Sequence, residues 1–262
     1  MLRVIQTGAV AEVEIDNPPA NALTNELYAS LDELADELED DPSVRAVVFA
    51  SAHPTIFIAG ADIRAMADYD FRPESIERKV RMVHATFLRL QRLAKPTVAA
   101  IEGHALGGGC ELALSLDARF MARGPARIGL PEAQLGIIPG GGGTQRLPRL
   151  VGRAHAARLI MLGERIDAGE AERIGLVTAA CEDGPATREA AREFATRLAE
   201  MPSSSIRAIK TCLNDGYDQD LVRGLEIECA AAIDALTQPE AREGIAAFLE
   251  KRPARFHVPE PA

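Results

Sequence analysis

Gly103-His104-Ala105-Leu106-Gly107-Gly108-Gly109-Cys110-Glu111-Leu112 is the stretch whose reading decides the class of fold. The apolar run TVAAI, residues 97–101, leads into it. Such a run, short and bounded by turn residues, reads as a strand buried on both faces. Three consecutive glycines then read as a turn that opens a helix, with N–H groups exposed where the helix dipole favours negative charge. Strand, glycine-rich turn and helix in succession is the rhythm of an α/β protein.

The rhythm recurs on both sides. Residues 4–7 and 10–15 alternate apolar and polar and predict an opening hairpin of strands. Asn17-Pro18-Pro19 breaks the chain. Thr24 can cap a helix whose Leu27, Leu31, Leu34, Ala35 and Leu38 follow the 3.6-residue period. A buried strand is expected at 46–50. Ile76, Val80, Val83, Phe87 and Leu90 mark the next helix, and Lys95-Pro96 ends it. Another strand is expected near 119–122. From residue 186 the pattern turns helical, with segments at 190–199, 203–213, 221–236 and 240–250. The expected organisation is an α/β core over 1–185 and a helical C-terminal region over 186–262, packed as one unit.

Composition narrows the function. The net charge of -10 argues against nucleic acid as the main partner, because phosphate binding needs a basic surface. An anionic ligand would need a local basic cluster to overcome that field. No stretch approaches the ~20 apolar residues of a membrane helix. The first residues, MLRVIQTGAVAEVEI, carry neither a signal-peptide apolar block nor a transit-peptide character. Cys110, Cys181, Cys212 and Cys229 form no CxxC pair, which reads as reduced thiols in a cytoplasmic protein and not as a metal site.

Three segments carry chemistry. In Phe57-Ile58-Ala59-Gly60-Ala61-Asp62 the small residues let a ligand approach the main chain, and Asp62 can cap the short helix that follows. The 103–112 stretch is the second. It is not a dinucleotide fingerprint, since Leu112 stands where a third small residue is needed, and it lacks the Gly-Lys-Ser/Thr of a P-loop. No Gly-x-Ser-x-Gly elbow occurs. What remains is a donor-lined turn with Glu111 in the first helical turn, a position that by itself suits a solvated acid. The third segment is Ile128-Gly129-Leu130-Pro131-Glu132-Ala133-Gln134-Leu135-Gly136. Apolar neighbours there should raise the pKa of Glu132, as a proton donor requires. Gly140-Gly141-Gly142-Gly143 reads as a close-packed structural turn before the next helix, not as a ligand-binding loop.

FIAGAD, GHALGGGCELALSLD and GLPEAQLGIIPGGGGTQRLPRLVG, in this order, resemble the most diagnostic stretches of the crotonase superfamily, the enoyl-CoA hydratase/isomerase family. The likeness runs from about residue 3 to about 256. It implies a spiral of ββα turns with a C-terminal helical region that drives trimerisation, commonly as a dimer of trimers. It implies an oxyanion hole from the N–H groups of Ala59 and Gly108 and a catalytic pair, Glu111 and Glu132. The partner it implies is an acyl-CoA thioester, with Ala22, Ala61, Asp62, Ile63, Arg64 and Lys251 as contacts. No separate cofactor and no metal are expected, CoA being part of the substrate, and the implied setting is fatty-acid metabolism. By the resemblance, Glu111 activates water and Glu132 exchanges the proton at the α-carbon. A double-bond isomerase, another acyl-CoA lyase, or a non-catalytic acyl-CoA- or RNA-binding relative are the alternatives.

Two positions depart from the family pattern. Many members carry Lys or Arg before the early Ala-Leu, where this chain has Pro19-Ala20-Asn21-Ala22-Leu23. The usual basic contact to CoA is absent there, which shifts weight onto Arg64 and the Lys251-Arg252 pair. The two acids are also one position further apart than in typical hydratases, and the extra residue is assigned to the turn Arg123-Gly124-Pro125-Ala126. Residues 65–83 are expected to wall the acyl pocket.

Overall fold

A computed structural model describes residues 1–256. The elements follow in the order β1 Leu2–Thr7, β2 Val10–Ile15, α1 Asn25–Asp40, β3 Ala46–Ser51, β4 Ile56–Ile58, α2 Ile63–Ala67, α3 Pro73–Arg92, β5 Thr97–Ile101, β6 His104–Leu106, α4 Gly108–Leu114, β7 Ala118–Ala122 and β8 Ile128–Gly129. A 3-10 turn over Pro131–Leu135 leads to α5 Gly143–Met161, β9 Arg165–Ile166, α6 Ala168–Arg173, β10 Ala179–Cys181 and α7 Gly184–Ala199. After α8 Ser203–Thr211 comes a π-helical segment, Cys212–Gly216, then α9 Leu221–Thr237 and α10 Pro239–Glu250.

The strands divide between two sheets, one in the order β1-β2-β3-β5-β7-β10 and a smaller one in the order β4-β6-β8-β9. Successive units therefore repeat one step. β3, β5 and β7 each lay a strand beside the last in the large sheet, parallel to it; β4, β6 and β8 do the same in the small one. A helix closes each step, which is the expected spiral of ββα turns.

The large sheet is covered on both faces, so β3, β5 and β7 are buried along their whole length and are mostly apolar, Ser51, Thr97 and Arg119 being the polar exceptions. Period-2 alternation sorts their side chains. Val47, Phe49, Ala99 and Ile101 join the main core with Leu27, Leu31, Phe57 and Phe87. Ala46, Val48, Ala50, Val98 and Ala100 face the other way, against Ala191, Ala195 and Ala199 of α7. Those three alanines recur every fourth residue, one stripe of a helix, and bring α7 close to the sheet. The division expected at 185 thus falls in the first turn of α7. That helix is a layer of the α/β core, also held by Arg188 pairing with Glu12, Glu14 and Glu102. The helices from α8 onward carry the remainder of the C-terminal region as far as residue 256, and 257–262 lie outside the described residues.

Candidate active site

The segment Phe57-Ile58-Ala59-Gly60-Ala61-Asp62 is held at three strands. Asn21, buried with φ +50, donates through its side chain to Ile15 O, Ser51 Oγ and Phe57 O. This locks the 17–23 turn against the ends of β2, β3 and β4. Leu23 then bridges to Ala61: its N–H donates to Gly60 O at 2.8 Å and its carbonyl accepts from Asp62 N. Ala22, Ala61, Asp62, Ile63 and Arg64 are thereby brought together beside Ala59. Asp62 Oδ1 accepts from Arg64 N and Ala65 N, capping α2 as expected. Arg64 is exposed, without an ion pair among the described residues.

The second segment opens α4, all seven residues of which are buried. Gly107 takes φ +53, a conformation costly for other residues, and turns the chain from β6 into the helix. A methyl group on Gly109 would overlap the Ile58 carbonyl, so the end of β4 packs directly on the helix start. Built on Gly60, a Cβ would lie 3.1 Å from Leu106 O and 3.8 Å from Gly108 N. The Ala59 and Gly108 segments are therefore adjacent, and neither N–H has a hydrogen-bond partner among the described residues. Paired free donors at a helix N-terminus suit a developing oxyanion.

Two carboxyls flank this turn. Glu111 is 4% exposed, not the solvated residue its position by itself suggests. Its Oε1 accepts from Gly141 N at 2.7 Å and Gly143 N at 2.8 Å. Burial raises its pKa, opposed by those two N–H groups and by the charge of Arg146. Glu132, in the 3-10 turn, leans against the start of α4: a methyl on Gly107 would come 2.7 Å from its Oε1. Its Oε2 is buried with no partner among the described residues. Burial pushes Glu132 up to about 7; a backbone hydrogen bond opposes this and the charge of Glu111 adds to it. The arrangement offers one carboxyl held by two N–H donors and one with an unpartnered oxygen that titrates near neutrality, a difference that acid–base work on one substrate can use.

The four-glycine turn does more than the sequence reading assigned to it. It packs closely before α5, as expected, and also supplies both donors to Glu111 from a distance of 30 and 32 residues along the chain. Nothing local in PGGGG reveals an acceptor so far away. Tyr28 was likewise invisible among the periodic leucines of α1. It is 6% exposed, tilts its ring against Phe87 at 5.8 Å, and lies within the electrostatic reach of Glu111.

Lys251 stands apart. It ends α10 in the left-handed region, φ +55, with an exposed side chain and no bond to the cluster among the described residues. Its neighbour Arg252 is engaged by Glu243 and Glu250. The 123–126 turn joins β7 to β8, and residues 123–125 are exposed. Among the described residues no three His, Cys, Asp or Glu side chains come together in a way that could hold a metal ion, and no helix is long and apolar enough to cross a membrane.

Known proteins share this architecture. A family model described as enoyl-CoA hydratase/isomerase matches residues 6–259. The chain is 40% identical over 248 residues to the short-chain-enoyl-CoA hydratase of Clostridium acetobutylicum, covering 94% of this chain and 93% of that one. It is 39% identical over 239 residues to the mitochondrial methylglutaconyl-CoA hydratase of Rattus norvegicus, covering 90% and 75%. The solved enoyl-CoA hydratase of Bacillus anthracis matches with a TM-score of 0.90 at 35% identity, covering 97% of this chain and 98% of that one.

Proposed function

The chain belongs to the enoyl-CoA hydratase/isomerase family and has its crotonase fold, and on that premise we propose that it adds water, in the syn sense, to a trans-2-enoyl-CoA. The observation that carries this reading is the pair Glu111 and Glu132 beside two unpartnered N–H groups. Both acids are present, burial raises both, and their hydrogen bonding differs: Glu111 accepts from two backbone N–H groups, while Glu132 Oε2 has no partner among the described residues. An isomerase or a binding relative would not call for both acids, and the net charge of -10 disfavours RNA.

In this scheme Glu111 takes a proton from water as the water oxygen bonds to C3. The π electrons shift toward the thioester carbonyl, and the resulting enolate oxygen accepts from Ala59 N–H and Gly108 N–H. Preorganised donors need no reorganisation, and losing one typically costs ~10²–10³ in rate. Glu132 delivers the proton to C2, the enolate collapses to the 3-hydroxyacyl thioester, and the two carboxyls exchange the proton to reset. The scheme needs no group beyond the CoA that the substrate carries. Arg64, exposed beside the first loop, is assigned to the CoA phosphates. Lys251 is assigned to the same role, from its own or a neighbouring subunit.

The relatives named above act on different acyl groups at nearly equal identity, so the acyl chain is not chosen by likeness. The reading extends to a cytoplasmic enzyme, in keeping with four unpaired thiols, working as a homotrimer or dimer of trimers. The test follows the absorbance of the conjugated enoyl thioester. Wild type is expected to bleach it, and Glu111→Gln and Glu132→Gln each to lower the rate by ~10²–10⁴. Near-wild-type turnover in either folded variant would refute the scheme.

A further inference from the structure

Glu111 is held by two N–H groups, and what fixes those N–H groups is a third residue. Arg146, on the first turns of α5, donates from Nη1 to Gly141 O at 2.9 Å, across the same residue whose N–H faces Glu111. Its Nε donates to Gln91 Oε1 at 2.9 Å. Gln91 is fixed in turn: its Nε2 donates to Asn214 Oδ1, and Asn214 Nδ2 donates back to Gln91 O. A guanidinium presents several donors in one rigid plane, so a single side chain can join the turn to α3 with the angle between them set.

The glycines are shaped to this residue. Gly142 takes φ +106, and a methyl group there would overlap the Arg146 guanidinium. On Gly141 a methyl would lie 2.6 Å from Glu111 Oε2, and on Gly143 it would lie 3.0 Å from Oε1. Carboxylate, glycine turn and guanidinium thus stack without intervening side chains.

We propose that Arg146 is a positioning residue for the hydration reaction: it clamps the Gly141 peptide so that the N–H groups of Gly141 and Gly143 hold the Glu111 carboxylate toward substrate. The proposal rests on the reading of Glu111 as the base. The charged and titratable groups around Glu111 are Arg146 on α5, Glu132 in the 3-10 turn, Tyr28 on α1 and Cys110 beside it in α4. Among these Arg146 alone is cationic. Burial already raises Glu111, and the N–H donors and Arg146 oppose that rise. Loosening the clamp therefore raises Glu111 further, and the base becomes ionised only at higher pH.

The test reads kcat/KM against pH and, separately, the infrared titration of the Glu111 carboxylate with Glu111→Gln as the reference. Arg146→Gln is expected to move both the acid limb and the infrared midpoint upward by about one pH unit, a tenfold loss on that limb, with KM changed less than about twofold. Arg146→Lys keeps the charge without the planar fork and is expected to fall between. Gln91→Leu leaves the charge and frees Nε, so a smaller shift in the same direction is expected, and it decides the matter if Arg146→Gln does not fold. A role confined to stability would lower the melting temperature and leave both midpoints in place; that outcome overturns the proposal. If the wild-type protein hydrates no enoyl thioester, the functional reading fails, while the infrared titration still decides whether Arg146 governs Glu111.

Discussion

Glu111 and Glu132 each sit in the first turn of a short helix, yet they meet opposite surroundings. Glu111 has two backbone donors and a nearby guanidinium to support a charge. Glu132 has an enclosed oxygen with no donor among the described residues, and burial holds it at about 7 against an ordinary 4.5. A carboxyl raised in the folded chain contributes its stability below the ordinary value and loses it as pH rises through the folded value. Glu132→Gln removes that loss. The variant should match wild type near about pH 4 and exceed it near about pH 8 by roughly 1–2 kcal/mol, a figure discounted for the residue's partial exposure. Thermal unfolding at both pH values checks this, and an equal difference at each would contradict it. On the proposed scheme the same shift predicts that wild-type hydration falls as pH rises through about 7, with loss of the Glu132 proton, and a pH–rate profile checks it.

Among the elements, those with a long periodic signal were legible and those that exist only by pairing were not. The leucines of α1 and the Thr24 cap place that helix at Asn25–Asp40, and the apolar run at β5 is a strand over the same residues. By contrast β4, β6 and β8 span three, three and two residues, too short to carry a period. Their partners lie 23 to 48 positions away, yet they seat Ala59 beside Gly108. The turn before α5 is sensitive to a single change. Gly142→Ala places a side chain at φ +106 and against Arg146, at a cost of about 1–3 kcal/mol. Melting temperature and hydration rate should fall together. An unstable variant with unchanged kcat would mean that the turn does not hold Glu111.

At the scale of the whole molecule, the last two described helices leave large apolar side chains exposed. Leu221, Val222, Ile233 and Leu236 on α9 and Ile245, Phe248 and Leu249 on α10 are exposed, Phe248 by 83%. Exposed apolar side chains in such number are what the trimer proposed above would cover at its subunit interfaces. Sedimentation equilibrium should give a mass of three or six times 28.1 kDa, and Leu221→Asp with Phe248→Asp should release monomers. A wild-type monomer would remove the proposal. Residue order alone determined the α/β class, the buried strands, and the first helix and its cap, and it singled out the acids and glycines proposed for the chemistry, because these depend on local periodicity and local backbone chemistry. Tertiary structure alone decided that α7 belongs to the sheet, that Glu111 is buried, and that the N–H groups of Gly141 and Gly143 donate to it. Those outcomes depend on contacts between segments from 30 to more than 120 residues apart, and a contact across the fold has no counterpart in the spacing of neighbours along the chain.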